Sequence, residues 1–186
     1  AVAIGMTVEG RNKSKEAQLM VQASVAIEIA MFAPIRIQNL STIRLDQHIS
    51  WNANRLRLSF PAHEVKNDQA LDFLLPVEAS ERIKRYINEW RSLFMPATNQ
   101  HLFPGRNGKP KDQSALRNQM KKAIFDHTGL QMTPHQFRHA AAKLLLDAKP
   151  GHYEVVRKLL GHKTLTTTYA HYAGAETDAA IELYDD

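Results

Sequence analysis

VRKLLGHKTLTTTYAHYAG, residues 156–174, carries the reading of this chain. Leu159 and Leu160 fit the inner face of a helix, and Gly161 suits its end because glycine alone accepts a left-handed backbone without strain. His162 is thereby held at a fixed point just beyond the helix. Ten residues later comes Tyr172. Upstream, TPHQFRHAAAKLLLDA (133–148) reads as another helix, with Thr133 as N-cap and Pro134 in its first turn. His135 and Arg138 are three apart, so they share a face and can reach one phosphate together. The plainer reading of each piece is an amphipathic helix with a surface His and Arg, and a turn followed by one core aromatic.

Outward from these segments the periodicity changes once. Helices are expected over 112–128, 134–147, 152–160, 164–172 and 175–184, with Asp112 capping the first. At the other end Ser14 caps a helix to about Phe32, with Met20, Ala23, Ile27 and Met31 as apolar positions. Pro34 interrupts it, and a short helix follows over 35–41. Between 43 and 76, Ile49, Leu56, Leu58 and Phe60, then Leu71, Phe73 and Leu75, alternate with polar residues. That pattern predicts strands turning near Asn52–Asn54 and Lys66–Gln69, ended by Pro76. Residues 78–94 follow as a helix with Ile83, Tyr86, Ile87 and Trp90 inward, and FPGRNGKP (103–110) as a loop. The fold class is α+β, mainly α-helical, with a small antiparallel three-stranded sheet near residues 43–76.

Composition narrows the function. The 186 residues suffice for one cored domain and are 44% hydrophobic. There is no 18-residue apolar run for a membrane span and no signal-peptide layout at the start. Absence of cysteine removes disulfides and thiolate metal sites, in keeping with a cytoplasmic setting. The net charge of +5 favours a polyanionic partner. His135 and His139 are spaced as in zinc-binding helices, but Gln136 stands where such a motif needs a glutamate, so no metal and no cofactor are expected. His139 reads as a packed or hydrogen-bonded helix residue.

HQFRH followed by LLGHKTLTTTYAHYAG resembles the tyrosine recombinase (phage integrase) family. That family has a His-x-x-Arg pair, then Leu-Gly-His, then a tyrosine nine or ten residues further on. Its first arginine follows a hydrophobic helix, and IEIAMFAPIRIQNLSTIRL (27–45) puts Arg36 there. Its lysine lies in a small sheet near a turn, and HEVKNDQALDFLLP (63–76) puts Lys66 there. The likeness spans residues 14–184. It departs where the family commonly has an acid three residues after the first arginine, which here is Asn39. Tyr169 comes seven residues after His162, too few, and the position nine after is His171. Tyr172, ten after and followed by Ala173 and Gly174, matches the branch ending Tyr-Ala-Gly.

The resemblance implies a site-specific recombinase that cuts and rejoins double-stranded DNA through a 3′-phosphotyrosine, without metal or ATP. Tyr172 would attack, Arg36 and Arg138 would stabilise charge on the non-bridging oxygens, and His162 would donate a further hydrogen bond. His135 would accept and return the tyrosine proton, and Lys66 would protonate the leaving 5′ oxygen. It also implies residues 1–13 as a linker or arm, 14–186 as the catalytic domain, and a separate DNA-clamping domain missing before it. Self-association as a tetramer on DNA is expected of the full-length protein, with no membrane partner. A catalytically weak DNA-binding relative and a type IB topoisomerase are the competing readings.

Overall fold

In the computed structural model of the chain, residues 14–94, 99–170 and 172 are described. Ser14 accepts a hydrogen bond from the Ala17 amide at 3.2 Å and starts α1, Lys15–Phe32. This helix is buried along Val21–Ala26 and again at Glu28–Ala30, so it is the central rod rather than a surface helix. That explains why the expected apolar stripe is only partly right. Met31 is 49% exposed, while Gln22 and Glu28 are buried. Glu28 is held by the guanidinium of Arg82 and Gln22 donates to the Tyr86 hydroxyl at 3.2 Å, so neither polar group is left unpaired.

Pro34 ends α1, and after an extended stretch α2 runs Ile37–Thr42. The sheet then forms as expected, with β1 (Ile49–Asn52), β2 (Arg55–Phe60) and β3 (Leu71–Leu74) antiparallel in that order. Leu56, Leu58 and Phe60 point into the core, and Leu58 pairs with Ile49 on one side and Phe73 on the other. The alternation fixes the register, since a one-residue slip would turn this row to solvent. Pro76 caps α3, Val77–Glu89. The helix stops earlier than the expected 94: the chain tightens into a 3₁₀ turn at Arg91–Leu93. There the buried Arg91 guanidinium binds the carbonyls of His101 and Asn99.

The remaining helices are α4 (Gln113–Thr128), α5 (Pro134–Ala148), α6 (Tyr153–Leu160) and α7 (165–170), with Tyr172 still helical. Asp112 caps α4 through the Ala115 amide at 2.9 Å. The expected helix over 175–184 lies outside the described residues. Packing among the described residues falls into two clusters. The larger joins α1, α2, the sheet, α3 and α4. The smaller contains Ala142, Leu146, Tyr153, Val156, Leu160 and Tyr172. α5 belongs to both, because Phe137 packs on the larger cluster and Ala142 and Leu146 lie in the smaller.

Candidate active site

α5 begins with a capping box. The Thr133 hydroxyl accepts from the Gln136 amide at 3.3 Å, and the Gln136 side chain accepts from the Thr133 amide at 2.7 Å. Gln136 is therefore spent on the helix end. The cap fixes the direction of the first turns, which carry His135, Arg138 and His139.

Arg138 turns inward. Its guanidinium donates to the carbonyl of Pro34 and, at 2.7 Å, to that of Leu160. One side chain thus ties the α1–α2 linker to the end of α6. Arg36 sits in that linker with φ −68° and ψ 151°. Its Nη1 is buried with no hydrogen-bond partner among the described residues. Burial, and then the positive charge of Arg36, pull the Arg138 pKa down to about 10. Two mutually repelling guanidinium groups, one with an orphaned donor, favour an anion between them.

α6 ends at Gly161 in the left-handed conformation, φ 61° and ψ 40°. A Cβ there would lie 2.9 Å from Leu71 Cδ2 and would displace that side-chain end, but the left-handed backbone is what calls for glycine. His162 follows, its Nδ1 3.0 Å from the buried Thr168 hydroxyl.

Lys66 sits on the turn between β2 and β3, and two amides hold that turn. Asn39 Nδ2 donates to the Glu64 carbonyl at 3.0 Å. Asn67 Nδ2 donates to the Gly161 carbonyl at 2.8 Å, joining the Lys66 turn to the His162 turn. Asn39 thus has its own work, since a carboxylate could not donate to a carbonyl.

The two candidate tyrosines diverge. Tyr169 is 46% exposed and lies against Tyr153, with ring centroids 4.3 Å apart. Tyr172 is 6% exposed, with its ring in the smaller cluster and its hydroxyl 2.8 Å from His139 Nδ1. His139 Nε2 is in turn 2.9 Å from His135 Nε2. Burial raises the Tyr172 pKa above its ordinary value, and the Arg138 charge opposes that rise.

A cleft of about 930 Å³ gathers all six residues singled out from the sequence: Arg36, Lys66, His135, Arg138, His162 and Tyr172. It is also lined by His139, Asn67, Arg117 and Lys163, which sequence reasoning did not assign to it, and, among the described residues, by no aspartate or glutamate. The His135–His139 spacing was the available signal for His139. Nothing local marks Asn67, whose partner is 94 residues away. No group of three possible metal-ligating side chains occurs among the described residues.

Cations line this cleft and a phenol stands on its wall, an arrangement that favours an anionic ligand. The chain belongs to the phage integrase family, whose sequence model matches residues 11–178. It is 32% identical over 109 residues to a tyrosine recombinase XerC of Brucella suis, an overlap of 55% of this chain and 33% of that protein. It is 34% identical over 94 residues to a tyrosine recombinase of Agathobacter rectalis, covering 49% of this chain and 30% of that protein. Its matched segments therefore span about a third of the length of these relatives. Among solved structures, its fold resembles the XerH site-specific recombinase in a post-cleavage complex with difH substrate. There the TM-score is 0.74 at 20% identity, covering 100% of this chain and 50% of that one. It also resembles the Tn1549 transposon integrase in complex with transposon right-end DNA, with a TM-score of 0.61 at 17% identity, covering 100% and 70%.

Proposed function

We propose that this chain is the strand-transferring core of a site-specific DNA recombinase, acting on double-stranded DNA in the cytoplasm. The observation that carries the reading is the Tyr172 hydroxyl on the wall of a cleft that holds Arg36 and Arg138 and, among the described residues, no acid. The phenol oxygen attacks a DNA phosphorus, a 3′-phosphotyrosine forms, and the bond to the 5′ oxygen breaks. Lys66 gives that oxygen its proton. Arg36, Arg138 and His162 donate to the non-bridging oxygens, where negative charge concentrates. Preorganised donors of this kind are typically worth about 10²–10³ in rate each. The phenol proton leaves toward the histidine pair at the start of α5. A 5′-hydroxyl then attacks the phosphotyrosine, and the reverse proton movements reseal the strand. One phosphoester replaces another, so no nucleotide is consumed.

The test is a pool of duplexes, randomised in sequence and nicked beside the scissile phosphate, so that the short cut end diffuses away and traps the covalent complex. Wild-type protein is expected to yield a denaturant-resistant protein–DNA adduct, and Tyr172→Phe none. An adduct that survives in Tyr172→Phe, or no adduct from any duplex in the pool, would refute the assignment. The second result would favour a DNA-binding role without strand transfer.

A further inference from the structure

We propose that His139 is the group that takes the proton from the Tyr172 hydroxyl, and that it hands its own proton on to His135. The inference rests on the strand-transfer reading above. It reassigns the proton acceptor, which the resemblance alone would make His135.

The geometry is a line of three groups. The Tyr172 hydroxyl meets His139 Nδ1 at 2.8 Å, and His139 Nε2, on the far side of the same ring, meets His135 Nε2 at 2.9 Å. The two imidazoles are edge to face, 86° between planes with centroids 4.5 Å apart. Exposure rises along the line: Tyr172 is buried, His139 half-buried and His135 exposed. A proton leaving the phenol therefore moves toward water in two short steps.

Chemistry sets the direction. A phenol O–H is a stronger acid than a neutral imidazole N–H, so Tyr172 donates and His139 Nδ1 accepts. The neutral His139 ring then carries its hydrogen on Nε2 and donates it to His135 Nε2. His135 in turn carries its hydrogen on Nδ1. When the Tyr172 oxygen bonds to phosphorus, its proton moves to His139 Nδ1 and the His139 Nε2 proton moves to His135 Nε2. His139 ends neutral in the other tautomer, and His135 ends as the imidazolium. Lys66 has meanwhile given one proton to the 5′ oxygen, so the positive charge lost at Lys66 reappears on His135, the phenol having given one proton to the histidine pair. Because burial makes the Tyr172 phenol reluctant to ionise, a base in direct contact matters more than a distant one.

His139→Asn separates a proton acceptor from a mere hydrogen-bond partner. The asparagine carboxamide oxygen can occupy the position of Nδ1 and accept the phenol hydrogen bond, but it cannot take the proton. On a nicked duplex that wild type traps, the single-turnover rate of adduct formation is expected to fall by about 10²–10⁴, the usual worth of a general base. Installing a polyfluorinated tyrosine at 172, whose phenol ionises near neutral pH, should then erase most of that defect. A near-wild-type rate in His139→Asn overturns the proposal. So does a defect that persists with the fluorinated phenol, because it marks a structural role. NMR of the imidazole nitrogens in wild-type protein without DNA gives a reading that no variant's folding can spoil. His139 protonated on Nε2 is expected, and a hydrogen on Nδ1 reverses the line and refutes it. Loss of all adducts in wild type, by contrast, would strike the strand-transfer reading itself.

Discussion

Arg138→Lys keeps the positive charge and removes the fork, so it isolates what geometry contributes. The arginine spans two carbonyls, those of Pro34 and Leu160, with its two terminal nitrogens. A lysine offers donors from one nitrogen on a differently shaped stem and cannot hold both. At least one buried carbonyl loses its partner, at about 1–3 kcal/mol. For a domain of this size each kcal/mol lowers Tm by about 2–4 °C, so a fall of roughly 4–8 °C is expected for a 2 kcal/mol loss. The catalytic loss is separate. If the N–H groups of Arg138 left over from those two carbonyls hold a phosphate beside Arg36, as proposed, adduct formation should slow by about 10²–10³. Thermal unfolding and single-turnover trapping on one nicked duplex measure the two effects side by side. An unchanged Tm would refute the tie between the α1–α2 linker and α6. A wild-type trapping rate with a lowered Tm would show Arg138 to be structural only.

Tyr169→Phe should leave adduct formation unaltered, since that ring lies against Tyr153 rather than lining the cleft, and a lost adduct would move the nucleophile assignment. Gly161→Ala combines a left-handed backbone with a Cβ 2.9 Å from Leu71 Cδ2, and should cost at least about 1–2 kcal/mol in denaturant unfolding. Asn67→Ala removes one hydrogen bond from the Lys66 turn, worth about 0.5–1.5 kcal/mol, and should slow trapping by about two- to tenfold. A bridging sulfur in place of the 5′ oxygen leaves without protonation, so it should abolish that difference if the turn acts through Lys66. Burial, with a smaller push from Lys15, lowers the Lys111 pKa to about 8 from an ordinary 10.5. Between those values the unfolded chain holds a proton that the folded one has released. The stability of wild type relative to Lys111→Met should therefore rise from pH 8 to 10.5, which urea titrations at stepped pH would check.

Where local chemistry decides the structure, the sequence was legible. Ser14, Asp112 and Thr133 cap the helices they were expected to cap, and Gly161 takes the left-handed turn. The sheet register follows from the alternation of Leu56, Leu58 and Phe60. The six residues carried over from the family line one cleft, yet their spacing could not say how they meet. The α1 stripe was only partly right because a helix buried on nearly every side has no single apolar face to find. Asn39 looked like a lost acid, and its partner, the Glu64 carbonyl, lies 25 residues along the chain where no periodicity points. The contact between His139 and Tyr172 depends on how α5 and α7 cross, which is a tertiary fact. Arg91 shortened α3 for the same kind of reason, by reaching backbone carbonyls ahead of it.

The division of packing into two clusters has a consequence for how the site can fail. Arg36 and Lys66 stand on elements of the larger cluster, while the Tyr172 ring is seated in the smaller one. Arg138 and Asn67 bridge the two. Small clusters open more readily than large ones, and they do so as units. The cleft is therefore built across two packing clusters, and it stays formed only while the smaller one does. A cavity made at Leu146 would loosen the seat of the Tyr172 ring while leaving Arg36 and the Lys66 turn folded. Amide exchange would register it as a loss of protection confined to α6 and the end of α5.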